Sequence, residues 1–300
     1  MKKAKRAKSA KRKISKTELI IKIVLGLIAI ISIFPFYQTL LLSFSREGDK
    51  FSQAVFLIPV HFDLSAYTYL IKEGKVLQGL CNTVFVTVVG TLVSMGVTVP
   101  AAYALSKKTL PGRNIFMNMI IFTMFFSGGL VPYFLTVKAL HLMDSIWVMI
   151  IPVAVNTFNL ILLKNFFKDL PKGLEESAKI DGASDFRILW SIVLPVSKPI
   201  IAAISLFYAV DRWNEWYNAM LFLNDTSKYP LQLVLRNAIM NMSTMLKSTT
   251  AVEKAAQMGS AYTDSVKNAI IIIAAVPIIL VYPFVQKYFA SGIMLGSIKE

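Results

Sequence analysis

Apolar residues gather in this chain as long runs separated by charged intervals. Six stretches, 19–43, 82–105, 115–137, 145–163, 199–223 and 267–289, are dominated by Leu, Ile, Val, Phe, Ala and Met. A bilayer core of roughly 30 Å takes about 20 apolar residues to cross as a helix, and a helix satisfies its own backbone groups within lipid. The pattern therefore predicts an all-α membrane protein with six transmembrane helices. Pro100, Pro132, Pro152, Pro277 and Pro283 fall inside these runs and read as kinks whose freed carbonyls neighbouring helices satisfy. The first run follows a basic region, as a signal peptide would. It is longer than the roughly 7–15 apolar residues of a signal, and no small-residue cleavage site follows promptly, so it reads as an uncleaved span.

The intervals set the orientation. An even number of spans returns both termini to one side. With that side cytoplasmic, the inner segments (Lys287 at the edge of the last span included) carry 20 of the 32 Lys and Arg, and the outer ones, with Lys267, carry 10. The positive-inside rule favours this arrangement, in the cell membrane of a prokaryote with N- and C-termini cytoplasmic. The chain divides into a basic tail, 1–18, and one six-span domain, 19–300, whose largest inner interval is 164–198.

Composition agrees with the runs. Apolar residues reach 55% and charged ones 16%, against roughly 45–50% and about 25% in soluble domains. The net charge of +15 is not a nucleic-acid surface, because nine of the 32 cationic residues lie between Lys2 and Lys16, where they can rest on anionic lipid. Cys81 is the single cysteine, and His61 and His141 stand apart, so neither an internal disulfide nor a His/Cys metal site can be assembled. There is no nucleophile motif, phosphate loop or paired carboxylate in a catalytic setting. A chain without its own catalytic site, metal or cofactor is expected.

The interval "EESAKIDGASDFRILWSIVLP", 175–195, is more than a connection needs. Pro171 stands at the first turn of a helix running from Lys172 to Ile180, and Glu175 and Glu176 suit its positive N-terminus. Asp181-Gly182 ends it, because glycine accepts the left-handed conformation. Ser184 caps a second helix, Asp185 to Val193, and Pro195 stops it. The spacing predicts a cytoplasmic helix-turn-helix parallel to the membrane. Leu174, Ala178, Ile180, Phe186, Leu189 and Ile192 form one apolar surface, and Glu176, Lys179, Asp185 and Arg187 stay available to a partner. An amphipathic pair lying in the headgroups would show the same periodicity. It would not require a small Ala178, a hinge at Gly182 or a fixed Ile-x-Leu-Pro end.

Those residues carry a resemblance. Glu176-Ser177-Ala178, then Asp181-Gly182, then nine residues to Ile192-Val193-Leu194-Pro195 resembles the EAA loop of ABC importer permeases, with Ser177 replacing the first alanine. Two further stretches, "AAYALSKKTLPGR" at 101–113 and "QKYFASGIMLGSIKE" at the C-terminus, are similar to the maltose-type carbohydrate importers. "FFSGGLVPYFLTVKALHLMDSIWVMIIP" at 125–152 is similar to permeases for complex oligosaccharides. The resemblance implies a second six-span permease, two ATP-binding cassette subunits holding ATP and Mg, and an extracytoplasmic solute-binding protein. It further implies that Glu176, Ser177, Ala178, Asp181, Gly182, Ile192, Leu194 and Pro195 dock on an ATPase, and that the C-terminal segment makes a second such contact. The outer interval 224–266 either enters the binding protein's cleft or packs as a cap. The alternative class is an ion-coupled secondary transporter, against which stands the lack of a visible internal repeat.

The fifth run holds "AVDRWNEWYNAM", 209–220. Asp211, Arg212 and Glu215 are costly at membrane depth and should face protein or a wet cavity. One reading is a substrate path, with Trp213, Trp216 and Tyr217 stacking on sugar faces and Asn214 and Asn218 bonding hydroxyls. The other is a structural ion pair beside an aromatic belt. The sequence leaves both open.

Overall fold

The computed structural model describes residues 16–45, 61–245 and 263–292. The C-terminal contact expected beyond Gly292, the loop residues 246–262 and the basic tail up to residue 15 lie outside them. Among the described residues the chain is helical, and the one β-bridge joins Ser45 and Phe62. The helices are α1 (Lys16–Ser43), α2 (Ser65–Glu73), α3 (Lys75–Ser106), α4 (Arg113–Phe125), α5 (Leu130–Ala139), α6 (Thr157–Lys168) and α7 (Lys172–Ile180). After them come α8 (Asp185–Val196, with a π-helical turn at Leu189–Val193) and α9 (Lys198–Trp213). The last three are α10 (Tyr217–Phe222), α11 (Leu231–Met245) and α12 (Thr263–Gly292).

Helix α3 is the axis of the fold, with α6, α9 and α11 packed around it. At its N-terminal end Val86 packs with Val137, Val148, Phe222 and Leu233, and at its C-terminal end Val99, Ala102 and Tyr103 pack with Leu163, Phe167 and Ile188. Helix α1 leans on α12, and every residue from 16 to 37 is exposed. A helix of mean hydropathy 2.7 exposed in this way presents a face that only lipid or another apolar chain can cover.

Three of the predicted spans differ from straight helices. The stretch 115–137 folds as α4 and α5, bent by 120° at a break where Gly129 takes φ +89°. In 145–163 only Thr157 onward is α-helical, and a 3-10 turn (Ile146–Met149) precedes it. Asn156 starts α6 by accepting the Asn159 amide on its side chain at 3.1 Å, a side-chain cap of the usual kind. The stretch 199–223 ends as a helix at Trp213 and resumes at Tyr217. Among the described residues α1 and α3 can cross a membrane by length and composition, and up to four spans result if the bent pairs α4–α5 and α8–α9 each count as one.

Candidate functional site

Two regions hold the residues that the sequence singled out. The first is the 171–197 segment at the C-terminal end of α3. Pro171 is the N-cap of α7 rather than part of its first turn, with φ −57° and ψ 121°. Gly182 takes φ +75°, and two bonds close the turn: Gly182 N–H to the Lys179 carbonyl at 3.0 Å and Ala183 N–H to the Ala178 carbonyl at 2.9 Å. This is the Schellman pairing, which needs a left-handed residue after the helix. Ser184 accepts the Arg187 amide at 3.3 Å and so caps α8. Pro195 does not stop the second helix. A π-helical turn at Leu189–Val193, closed by the Leu194 N–H to the Leu189 carbonyl, precedes it, the helix runs through Pro195 to Val196, and the break comes at Ser197.

The apolar surface expected of this segment divides in two. Ala178 and Leu189 are buried with Val99, Leu163 and Phe167, where only a small side chain at 178 leaves room for the close approach. Ile180 and Phe186 are 87% and 72% exposed, and Trp190 beside them is exposed too. Glu176, Ser177, Asp181, Gly182 and Pro195 are exposed, and Ile192 and Leu194 are half-buried. Lys179 and Asp185 pair across the turn at 3.3 Å.

A further contact was not apparent in the sequence. Lys107, the residue after α3, forms an ion pair with Glu175 and lies 4.0 Å from the centre of the Tyr103 ring. Partial burial pulls the Lys107 ammonium down, but its bonds to Glu175 and Tyr103 outweigh this and hold it above the usual lysine range. Arg113 donates to the Leu105 carbonyl at 2.8 Å, which secures the same connection. The available signal was "ALSKK" directly after an apolar run, a cation placed at a helix C-terminus.

The second region is a cavity of about 300 Å³ lined by Pro152, Val153, Val155, Asn156, Tyr208, Asp211, Arg212 and Glu215. Arg212 is 4% exposed. Its Nη2 donates to Ser94 Oγ at 3.1 Å and to the Val153 carbonyl, and its Nε has no partner. Gly90 makes the space, since a Cβ there would stand 3.0 Å from both Cδ and Nε of Arg212. None of the ion pairs among the described residues includes Arg212, so the structural ion pair with Asp211 or Glu215 is not formed. One turn earlier, the Tyr208 hydroxyl shares a 2.8 Å bond with Thr98 and accepts the Asn156 amide at 3.0 Å.

The remaining residues of 209–220 separate. Glu215 accepts the amide of Asn218 at 2.9 Å and its Nδ2 at 3.1 Å, and Asn218 Oδ1 accepts the Tyr133 hydroxyl at 2.8 Å. Trp213 is buried and donates to the Ala274 carbonyl at 3.2 Å. Asn214 bonds the Val210 carbonyl. Trp216 and Tyr217 meet edge to face at 5.7 Å, and the Arg236 guanidinium sits 4.9 Å from the Trp216 ring centre. These last residues lie outside the cavity lining. Gly90, Ser94, Asn156, Tyr208, Tyr133 and Arg236 escaped the sequence reading; of these, only Tyr208 carried a signal, as the i−4 neighbour of Arg212.

At the N-terminal end of α3, Asp144 joins two loops. Its carboxylate accepts the amides of Asp225 and Asn224 at 3.0 and 3.1 Å, and Lys228 Nζ donates to its carbonyl at 2.7 Å. The Asp225 amide, with Asn224 and Lys228 adding to it, holds the Asp144 carboxyl below its usual value.

The sequence pattern of the family described as "Binding-protein-dependent transport system inner membrane component" matches residues 22–295. The chain belongs to this family. It is thus a permease subunit of a binding-protein-dependent, ABC-type transport system, and the ion-coupled alternative falls away. "Protein LplC" of Bacillus subtilis (strain 168) is 44% identical over 276 residues, 92% of each chain. The "Polygalacturonan/rhamnogalacturonan transport system permease protein YtcP" of the same organism is 46% identical over 274 residues, 90% of this chain and 94% of that one. A solved chain titled "Crystal structure of a bacterial ABC transporter involved in the import of the acidic polysaccharide alginate" superposes with a TM-score of 0.82 at 37% identity, covering 92% of this chain and 98% of that one.

Proposed function

We propose that this permease carries oligosaccharides inward as one half of a translocation pathway. The other half is a second six-span permease, and two ATPase subunits, holding ATP and Mg, drive it. An extracytoplasmic binding protein delivers the sugar. The observation that carries the cargo is likeness along nearly the whole chain to a permease named for polygalacturonan and to a chain of a transporter involved in alginate import. In this reading both termini and the 164–198 interval are cytoplasmic. Its support is that contacts join loops assigned to the same side: Lys107 with Glu175 within, and Asp144 with Asn224, Asp225 and Lys228 without.

The 171–197 segment is the coupling element. Ile180, Phe186 and Trp190 form the apolar part of its ATPase-docking face, and Glu176, Asp181 and Asp185 form the acidic part. A Schellman turn fixes the angle between α7 and α8, while Ala178 and the Lys107–Glu175 pair tie the element to α3. Nucleotide-driven motion therefore reaches the spans through α3. The cavity beside Arg212 belongs to the substrate path, with Trp216 and Tyr217 as exposed aromatic faces nearby.

The test is purification of the assembled complex with its bound glycan identified by mass spectrometry, together with uptake into vesicles. ATP-dependent accumulation of an oligosaccharide is expected, and it should require the binding protein. Uptake that follows an ion gradient and ignores ATP refutes the proposal.

A further inference from the structure

The cavity at Arg212 lies deep in the fold. Ser94, which anchors that arginine, is nineteen residues from the start of α3 and twelve from its end, or about 28 Å and 18 Å along the helix. Polar side chains at such depth are expensive and mark pathways. One wall of the cavity is the non-helical segment before Thr157, and irregular backbone at this depth is tolerated where it lines a cavity. Two of the freed groups of that segment are already satisfied, Val153 C=O by Arg212 and Asn156 N–H by Tyr208.

What remains unused is informative. Both protein bonds of Arg212 use Nη2, and its buried Nε faces Gly90, so Nη1 is the nitrogen left for a ligand. The Asp211 side chain makes no hydrogen bond or ion pair among the described residues, although it lines the same space. Glu215 is occupied by Asn218. The cavity thus holds a charged donor and a charged acceptor not joined to each other, with Pro152 and Val155 as apolar wall. Neighbouring sugar hydroxyls, each able to donate and accept, match that pair. The total charge of the lining, one guanidinium against two carboxylates, is negative.

We propose that this cavity is a subsite for an uncharged sugar unit, in which Arg212 donates to one hydroxyl and Asp211 accepts from the next, and that its negative lining excludes a sugar carboxylate. The inference rests on the oligosaccharide reading above and narrows it. An acidic glycan of the kind named for the relatives would have to seat a neutral or esterified unit here.

The probe is a cysteine in the wall. Val155→Cys is made in a Cys81→Ser chain and assembled with its own partner permease, ATPases and binding protein in proteoliposomes. Its reaction rates with a cationic trimethylammonium-ethyl and an anionic sulfonato-ethyl methanethiosulfonate are compared, each normalised to a free thiol. The cationic reagent should react roughly tenfold faster, and Asp211→Asn should reduce that preference. Methyl-esterified oligogalacturonate should protect the cysteine where the free acid does not. An equal or faster anionic reaction, or protection by the free acid alone, overturns the proposal, and so does protection by neither sugar. If the complex without these substitutions also shows no ATP-driven oligosaccharide uptake, the fault lies in the importer reading, which the charge comparison does not depend on.

Discussion

Valine at Gly182 acts on the turn and on nothing else nearby. The residue sits at φ +75°, and a Cβ built there meets no atom within 4 Å, so the cost is backbone strain without a clash. An L-residue in the left-handed region costs about 1–2 kcal/mol, and a β-branched one lies at the upper end of the roughly 1–3 kcal/mol range for strained positions. Opposing it are the two Schellman bonds, Gly182 N–H to Lys179 and Ala183 N–H to Ala178, each contributing about 1 kcal/mol net. Strain and restraint are then of similar size. The valine chain should abandon the turn in a large fraction of molecules and present α7 and α8 at the wrong angle. Asparagine, which visits this conformation readily, should be nearly harmless, and alanine intermediate. The assay is oligosaccharide transport and binding-protein-stimulated ATP hydrolysis, each measured separately in proteoliposomes, with membrane levels of the chain measured alongside. Transport and binding-protein-stimulated hydrolysis should fall together in the order Gly, Asn, Ala, Val at constant expression. Normal coupling in Gly182→Val would refute the reasoning.

Three other expectations follow from contacts. Lys107→Ala or Glu175→Ala removes a pair whose side chains are 19% and 22% exposed and should lower coupling through a loss of about 1–2 kcal/mol; exchanging the two charges should restore it, and failure of the exchange would leave the pair incidental. Gly90→Ala pushes on Arg212 Cδ and Nε and should destabilise the detergent-solubilised chain by about 1–3 kcal/mol; an unchanged unfolding midpoint would show that the arginine yields freely. Asp144→Asn keeps a residue suited to φ +51° while removing the charge, and hydrogen exchange at the Asn224 and Asp225 amides should quicken. Because the Asp144 carboxyl is held low in the folded chain, its stabilisation is present above the ordinary aspartate value and is lost only as pH falls through the lowered one. Exchange at those two amides should therefore show no clasp-linked change between about pH 5 and 8.

Local signals were the readable ones. Helix Lys172–Ile180, its left-handed glycine and the Ser184 cap depend on a few adjacent residues, and those residues state them. The end of the second helix was less readable, because a proline can stop a helix or be carried within it, and the π-helical turn that precedes it here has no side-chain signature. Hydropathy marked 115–137 and 145–163 as apolar but could not give direction. The 120° reversal at Gly129 depends on Val137 and Val148 finding Phe222 far along the chain. Arg212 is the clearest case. The sequence offered Asp211 and Glu215 as neighbours, whereas its acceptors are Ser94 and Val153, 118 and 59 residues away.

Tyr208 and Arg212, one turn apart on α9, act as two rivets through three plates. Between them they make four hydrogen bonds, two to α3 (Thr98 and Ser94) and two to the backbone of the 150–156 segment. Prising the plates apart breaks all four at a cost of about 4 kcal/mol, before any apolar contact is counted. The plates should therefore move as one board, and its margins are the double glycine between α4 and α5 and the 88° corner at Ser197. If the 171–197 segment is the coupling element proposed above, a stroke delivered to it would tilt the board and its cavity together, and the sugar would be carried between two mouths by a wall that keeps its own shape.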